Sequence, residues 1–301
     1  MVEQEKFKSG FVAIIGRPNV GKSTLLNQLV GRKVAIMSDK PQTTRHKIHS
    51  IINRDDAQVI FLDTPGIHKP KHKLGEYMVE VALGTLKEVD VILFLVEPRL
   101  PGPGDEYIIN QLQEVKTPVI LVINKIDLLE SKVELLPLID VYRQKYNFAE
   151  IIPVSALKPE NLECLMDLVV SYLPYGPKYY PDDMITDRPE QFIMAELIRE
   201  KILHLTSQEV PHGVAVVVEE VEPRSEQLVY VRAVIYTEKE SHKAILIGKG
   251  GRMLKEIGRR AREEMELLLG SKIYLDLWVK VKEDWRNQEL YLKNFGYANR
   301  D

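Results

Sequence analysis

Residues 16–23 read Gly-Arg-Pro-Asn-Val-Gly-Lys-Ser, a G-x(4)-G-K-S string. Side chains at Gly16 and Gly21 would keep backbone N–H groups from closing around a row of phosphates, which is why glycine belongs there. Lys22 brings a cation to the β- and γ-phosphates, and the Ser23 hydroxyl is a hard oxygen suited to Mg²⁺. Arg17, Pro18, Asn19, Val20 and Thr24 complete the expected contact set. Further on, Asp63-Thr64-Pro65-Gly66 offers a carboxylate that reaches the same Mg²⁺ through water and, at Gly66, an N–H that senses a γ-phosphate. Alone, Asp-x-x-Gly is a good turn; behind a phosphate loop it is a switch element. Between the two strings, Pro41-Gln42-Thr43-Thr44-Arg45 holds the only adjacent threonines. One hydroxyl should complete the metal shell when a γ-phosphate is present. Thr44 is the expected ligand and Thr43 the reserve.

Asn124-Lys125-Ile126-Asp127 follows an apolar run and selects the base. The Asp127 carboxylate can accept two hydrogen bonds from guanine N1–H and N2–H₂, which adenine cannot supply. A carboxylate left unpaired in a closed site is what rejects ATP. Asn124 would meet the N7 edge, the Lys125 stem would cover the ring, and in Ser155-Ala156-Leu157 the Ala156 N–H can reach guanine O6. These elements predict GTP binding and hydrolysis, with Lys22 and Thr44 as catalytic candidates. Hydrolases of this class often place a water-orienting glutamine just after Asp-x-x-Gly. Ile67 stands there instead, so help must come from the backbone, a monovalent cation or a partner.

A second chemistry lies near the C-terminus. Gly248-Lys249-Gly250-Gly251 is a G-x-x-G loop between two helix-length segments. Such a loop lets an RNA backbone come close while nearby cations meet phosphates and bases lie in an apolar groove. Lys243, Ile247, Gly248, Lys249, Gly250, Gly251, Arg252 and Lys255 are the candidate contacts, and single-stranded RNA, not DNA, is the expected partner. From 239 to 262 eight basic residues face two acidic ones, 8 − 2 = +6, although the whole chain carries 41 basic and 44 acidic residues for a net charge of −3. The histidines give no metal set: His68 and His72 sit among lysines with no cysteine nearby. Leu267, Leu268 and Leu269 read as core, and the single Cys164 as a buried free thiol on a helix face.

The elements that must position these groups follow from hydrophobic periodicity. Nearly continuous apolar runs at 11–15, 59–62, 91–96, 119–123 and 151–154 read as strands buried on both faces, with an antiparallel edge strand at 48–53. Helices are expected at 22–30, 74–87, 105–115, 132–146 and 160–172. Each motif then falls at a strand's C-terminal end, where an open α/β sheet binds ligands. Residues 1–173 are therefore expected to form a doubly wound, mostly parallel α/β nucleotide domain. Residues 174–189, dense in Pro and Asp, read as a linker, and 190–301 as an α+β domain. That second domain should run helix 190–205, strands 213–221 and 228–237, helices 242–247 and 252–269, strand 272–281 and a last helix at 285–293. The N-terminal six residues are polar and acidic, and no apolar run reaches membrane-spanning length, so a cytoplasmic protein is expected.

Strands before the G-x-x-G, a helix on each side and a strand after it resemble the type II KH domain. Together with Gly-Arg-Pro-Asn-Val-Gly-Lys-Ser, Gln-Thr-Thr-Arg, Asp-Thr-Pro-Gly, Asn-Lys-Ile-Asp and Ser-Ala-Leu, the chain resembles the Era family of GTPases over essentially its whole length. The resemblance implies binding of the 3′ end of 16S ribosomal RNA and a role in assembly of the 30S subunit. It also implies that Asn19 is a third catalytic candidate, matching an asparagine that coordinates K⁺ in potassium-activated relatives, and it allows weak peripheral contact with the inner membrane.

Overall fold

The computed structural model describes residues 7–297 except Asp39, Pro41, His68, Lys71, Glu209 and Glu226. The polar N-terminal six residues, Pro41 and His68 of the sequence reading thus lie outside the described residues. The chain divides into two compact units: residues to Met37, Thr44–Pro70 and Met78–Asp187 in the first; Ser38–Thr43, Lys71–Tyr77 and residues from Arg188 onward in the second.

In the first unit, β1 (Lys8–Gly16), α1 (Lys22–Val30), β2 (Ile48–Asn53) and β3 (Ala57–Asp63) come first. They are followed by α2 (Lys73–Thr85), whose opening turns fall in the second unit, then β4 (Val91–Val96), α3 (Pro103–Leu112), β5 (Val119–Ile123), α4 (Leu135–Lys145), β6 (Glu150–Pro153) and α5 (Leu162–Tyr172). The sheet order is β2-β3-β1-β4-β5-β6, parallel except for edge strand β2. Strands β3, β4 and β5 are buried at every residue, the consequence of helices covering both faces. Two apolar clusters result, one on each side: Ile15, Leu62, Phe94 and Ile123 on one, Ile14, Phe61, Leu93 and Val122 on the other. Because β3 and β4 flank β1 on opposite sides, the chain reverses direction across the sheet there, and the crevice opens above the C-terminal end of β1.

The Pro- and Asp-rich stretch lies mostly within the first unit. Gln58 accepts the Tyr179 and Tyr180 N–H groups at 2.7 and 3.0 Å, Ile51 N–H donates to the Ile185 carbonyl, and His49 Nδ1 lies 2.9 Å from Asp187. Cys164 is exposed, not buried. The inward face of α5 is Leu165, Met166, Val169 and Val170, and Cys164 points off that stripe.

The second unit has α6 (Glu190–Leu205), β7 (Ala215–Ser225), β8 (Leu228–Thr237), α7 (Glu240–Ile247), α8 (Arg252–Leu269), β9 (Lys272–Val281) and α9 (Glu289–Asn294). Strand β8 pairs antiparallel with β7 and parallel with β9, so the α7–α8 hairpin is the crossover that a parallel pair requires. Ile257, Ala261 and Met265 of α8 recur every four residues and face the core with Val231, Ala233 and Ile235. Leu267, at 86% exposure, and Leu268 do not join them; only Leu269 packs inward. All three lie in the last turn of α8 before Gly270, and successive residues about 100° apart cannot all face the one side that packs on the sheet. Among the described residues, no helix is long and apolar enough to cross a membrane.

Candidate nucleotide site and RNA-facing loop

The phosphate loop joins β1 to α1. Gly21 sits in the left-handed region at φ 100°, and a Cβ there would come within 2.3 Å of the Asn124 amide nitrogen, so glycine is required on both counts. Lys22 is buried and donates to the Gly16 and Arg17 carbonyls at 3.2 and 3.1 Å, which folds its side chain back over the loop. Val20 is buried, Thr24 half-buried, and Pro18 lies against Gly66.

Three oxygens converge beside Lys22. Ser23 Oγ lies 3.1 Å from Thr44 Oγ1, and each hydroxyl is 3.2 Å from Asp63 Oδ2. The other Asp63 oxygen is buried without a hydrogen-bond partner among the described residues. Thr43 is placed differently, its hydroxyl donating to the Lys40 carbonyl at 2.6 Å. Burial pushes the Asp63 carboxyl up to about 6, against the pull of Lys22 and the two hydroxyls. Burial likewise pushes Lys22 down to about 8, with Asp63 opposing. Two charges held in so little water are ones that a dication and bound phosphates would relieve. Thr64 is buried, donating to the Ile14 carbonyl at 2.8 Å; Pro65 and Gly66 are buried. Ile67 packs into the core, so its side chain orients no water.

At the base end, Ser155 Oγ donates to Asp127 Oδ1 at 2.6 Å and accepts the Lys158 N–H at 3.0 Å. That fixes the carboxylate's orientation. Asn124 is buried; its amide donates to the Val20 carbonyl at 2.9 Å and its oxygen accepts the Ala156 N–H at 3.0 Å. The Ala156 N–H, expected at guanine O6, is therefore turned to Asn124, which ties phosphate loop, β5 end and β6 end together. Leu157 is 69% exposed. Lys125, in the left-handed region at φ 65°, donates to the Asn19 carbonyl at 2.7 Å.

The second unit presents Gly248-Lys249-Gly250-Gly251 between α7 and α8, all three glycines at positive φ. Lys249, Gly250, Arg252 and Lys255 are exposed; Lys243, Ile247, Gly248 and Gly251 are half-buried. Ile245, not foreseen, adds an exposed apolar side chain beside the loop.

Residues 11–125 match the family described as 50S ribosome-binding GTPase, and residues 209–286 match the KH domain. A structure of a point variant of Aquifex aeolicus Era bound to GDP·AlF4⁻ is 47% identical, covering 97% of this chain and 100% of that one, with a TM-score of 0.93. The chain belongs to the Era family. A structure of Era in complex with MgGDPNP and nucleotides 1506–1542 of 16S ribosomal RNA matches with the same identity, coverages and TM-score. As an Era-family member this chain is a GTPase with a C-terminal KH domain, and the α/β-then-α+β reading of its sequence is correct.

Within that KH domain, the basic surplus is smaller than its count of residues. Lys243 lies 3.7 Å from Glu240, Arg259 and Arg260 both pair with Glu256, Arg259 also with Glu263, and Arg262 with Glu266. Lys239, Lys249, Arg252 and Lys255 remain without an ion pair among the described residues. RNA binding should therefore weaken with a slope of log K against log salt of about −3, the value for some four phosphate contacts, instead of the roughly −6 that eight would give. Filter binding over a salt series measures it, and a slope near −6 would mean that RNA strips the carboxylates from Lys243, Arg259, Arg260 and Arg262.

Proposed function

We propose that this chain is a GTP-hydrolysing switch that binds the single-stranded 3′ end of 16S ribosomal RNA and acts in assembly of the 30S subunit. The observation that carries the reading is one chain with both an Asp127 carboxylate pinned by Ser155 at the end of the base motif and a Gly-Lys-Gly-Gly loop whose exposed Lys249 and flanking Arg252 and Lys255 have no ion pair among the described residues. It is matched over its length by a relative whose structure holds both MgGDPNP and 16S ribosomal RNA. Residues 1–173 carry the nucleotide, 174–189 connect, and 190–301 carry the RNA.

Gly16–Ser23 with Thr24 and Asp63–Gly66 enclose the phosphates, while Asn124, Lys125, Asp127 and Ser155–Leu157 hold the base. Ser23, Thr44 and Asp63 would hold Mg²⁺; their three converging oxygens, with one Asp63 oxygen left without a hydrogen bond among the described residues, fit a hard dication. The ion would supply neutralisation of charge developing on the phosphates. Lys22 supplies a fixed cation for the same charge, and Thr44 links the γ-phosphate to the switch segment, so its ordering reports the nucleotide state.

Asn19 stands at the exposed crest of the loop at φ 66°. Its neutral carboxamide oxygen suits a large monovalent cation, and K⁺ would stand where an arginine finger otherwise acts. Turnover should be roughly tenfold or more faster in KCl than in NaCl at matched ionic strength, and Asn19→Ala should bring the two rates together. Equal phosphate release in both salts by the unaltered protein would remove K⁺ from the mechanism.

A further inference from the structure

Two carboxylates outside every nucleotide motif hold the motifs in place. Glu97 follows β4 directly. Its Oε1 accepts Lys125 Nζ at 2.7 Å, and its Oε2 lies 2.6 Å from Arg99 and 3.4 Å from Arg17 of the phosphate loop. Lys125 Nζ spends a second hydrogen on the Asn19 carbonyl. Arg17 Nε is taken at 2.7 Å by Asp105, a side chain 1% exposed, whose other oxygen caps α3 through the Gly102 N–H at 3.0 Å. A Cβ on Gly104 would meet Arg17 Cδ at 2.5 Å, so the arginine lies flat against the start of that helix.

We propose that Glu97 is a positioning residue that sets how long a guanine nucleotide is retained, by locking Lys125 across the gap between base motif and phosphate loop. The proposal rests on the guanine site assigned above and deepens it. Lysine has a long, mobile stem with three rotatable donors. Bonded only to the Asn19 carbonyl, it could swing off the plane where a purine ring lies. A carboxylate on the opposite side removes that freedom before the ligand arrives, which lowers the ordering cost of binding. Glu97 is suited to the task electrostatically. Burial acts to raise its pKa, but the Lys125 hydrogen bond, then the charges of Lys125, Arg99 and Arg17, hold it below the usual carboxylate range, so it stays ionised. Three cations sit around this one anion, and without it Lys125 and Arg17 would repel each other at the mouth of the site. Asp105 fixes the loop's other side, and Glu97 adds a charged link to the base motif beside the Asn124 bond to the Val20 carbonyl.

The test is a double-mutant cycle read by stopped-flow release of a fluorescent GDP analogue from the full chain. Glu97→Gln should speed release about tenfold, the loss expected for one charge-assisted hydrogen bond, and Glu97→Asp should recover part of it. Lys125→Leu should speed release by at least as much. In the Lys125→Leu background, Glu97→Gln should add nothing, and guanine-over-adenine preference should be unchanged by Glu97→Gln. An equal, additive effect of Glu97→Gln in both backgrounds would show a merely structural role and overturn the proposal, as would unchanged release. If Lys125→Leu itself leaves release unchanged, the guanine-site reading fails first, which separates the two.

Discussion

Asp127→Asn should lower GTP affinity by a factor on the order of 10³ or more, while raising affinity for xanthosine triphosphate. The size follows from an asymmetry. A wrong partner does not just lose two hydrogen bonds; it leaves a polar group facing one of its own kind in a closed site. The geometry also decides which way the new amide points. Ser155 Oγ accepts the Lys158 N–H and donates its one proton to Asp127 Oδ1. An amide that keeps its oxygen there preserves this bond, and its NH₂ then takes the other carboxylate position, the one assigned to the guanine N2–H₂. Two donors then face each other. Xanthine has a carbonyl at that edge and accepts. Because the exchange is confined to the mouth of the site, the fold should be kept, within about 1 kcal/mol. Competition binding with both nucleotides checks this, and undiminished GTP affinity would remove Asp127 from base recognition.

The second large effect is on RNA. Replacing Lys249 and Gly250 together with Asp should weaken binding to single-stranded 16S ribosomal RNA by about 100-fold or more, with nucleotide affinity unchanged. Lys249→Asp shifts the local charge by −2 and Gly250→Asp by −1, at the point where a phosphate must come closest. The positions are chosen for what they leave intact. Gly250 has φ 62° and ψ 28°, and a Cβ there meets nothing within 4 Å. Aspartate is among the residues that visit the left-handed region, at a cost of about 1–2 kcal/mol. Gly248 would be the wrong choice: its Cβ would fall 2.8 Å from that of Met253 and 2.9 Å from the Met253 backbone nitrogen, so lost binding could be lost loop structure. A folded variant with normal GTP binding that still shifts RNA would move the RNA site elsewhere and leave the KH domain a structural role.

Local chemistry in this chain was legible without a structure. The strings at 16–23, 63–66, 124–127 and 155–157 fall at strand ends, as the apolar runs before them require, and the observed strands Val91–Val96 and Val119–Ile123 agree with those runs to the residue. Helix ends were less legible. Helix α3 begins at Pro103 because Asp105 reaches back to cap Gly102, and α4 is preceded by a separate 3₁₀ turn at Lys132–Glu134. Both depend on a few capping bonds that periodicity does not report.

The residue order by itself therefore determined which ligand chemistry is present, because glycine, lysine and carboxylate at fixed spacing act through backbone geometry only a few residues long. What only the tertiary structure decided is how distant side chains share charge. Thr44 and not Thr43 stands with Ser23 and Asp63 because the fold brings residues 23, 44 and 63 together. Half of the basic run near the loop is neutralised by Glu240, Glu256, Glu263 and Glu266, since helical spacing of three and four puts opposite charges side by side. Leu267 faces water although its neighbour Leu269 does not, because a helix face has a 3.6-residue period and a core only one side. Glu97 and Asp105 belong to no motif. Nothing in their local sequence marks them, and they bear on the site because a parallel sheet brings the ends of β1, β4 and β5 to one edge, where Arg17, Glu97 and Lys125 meet.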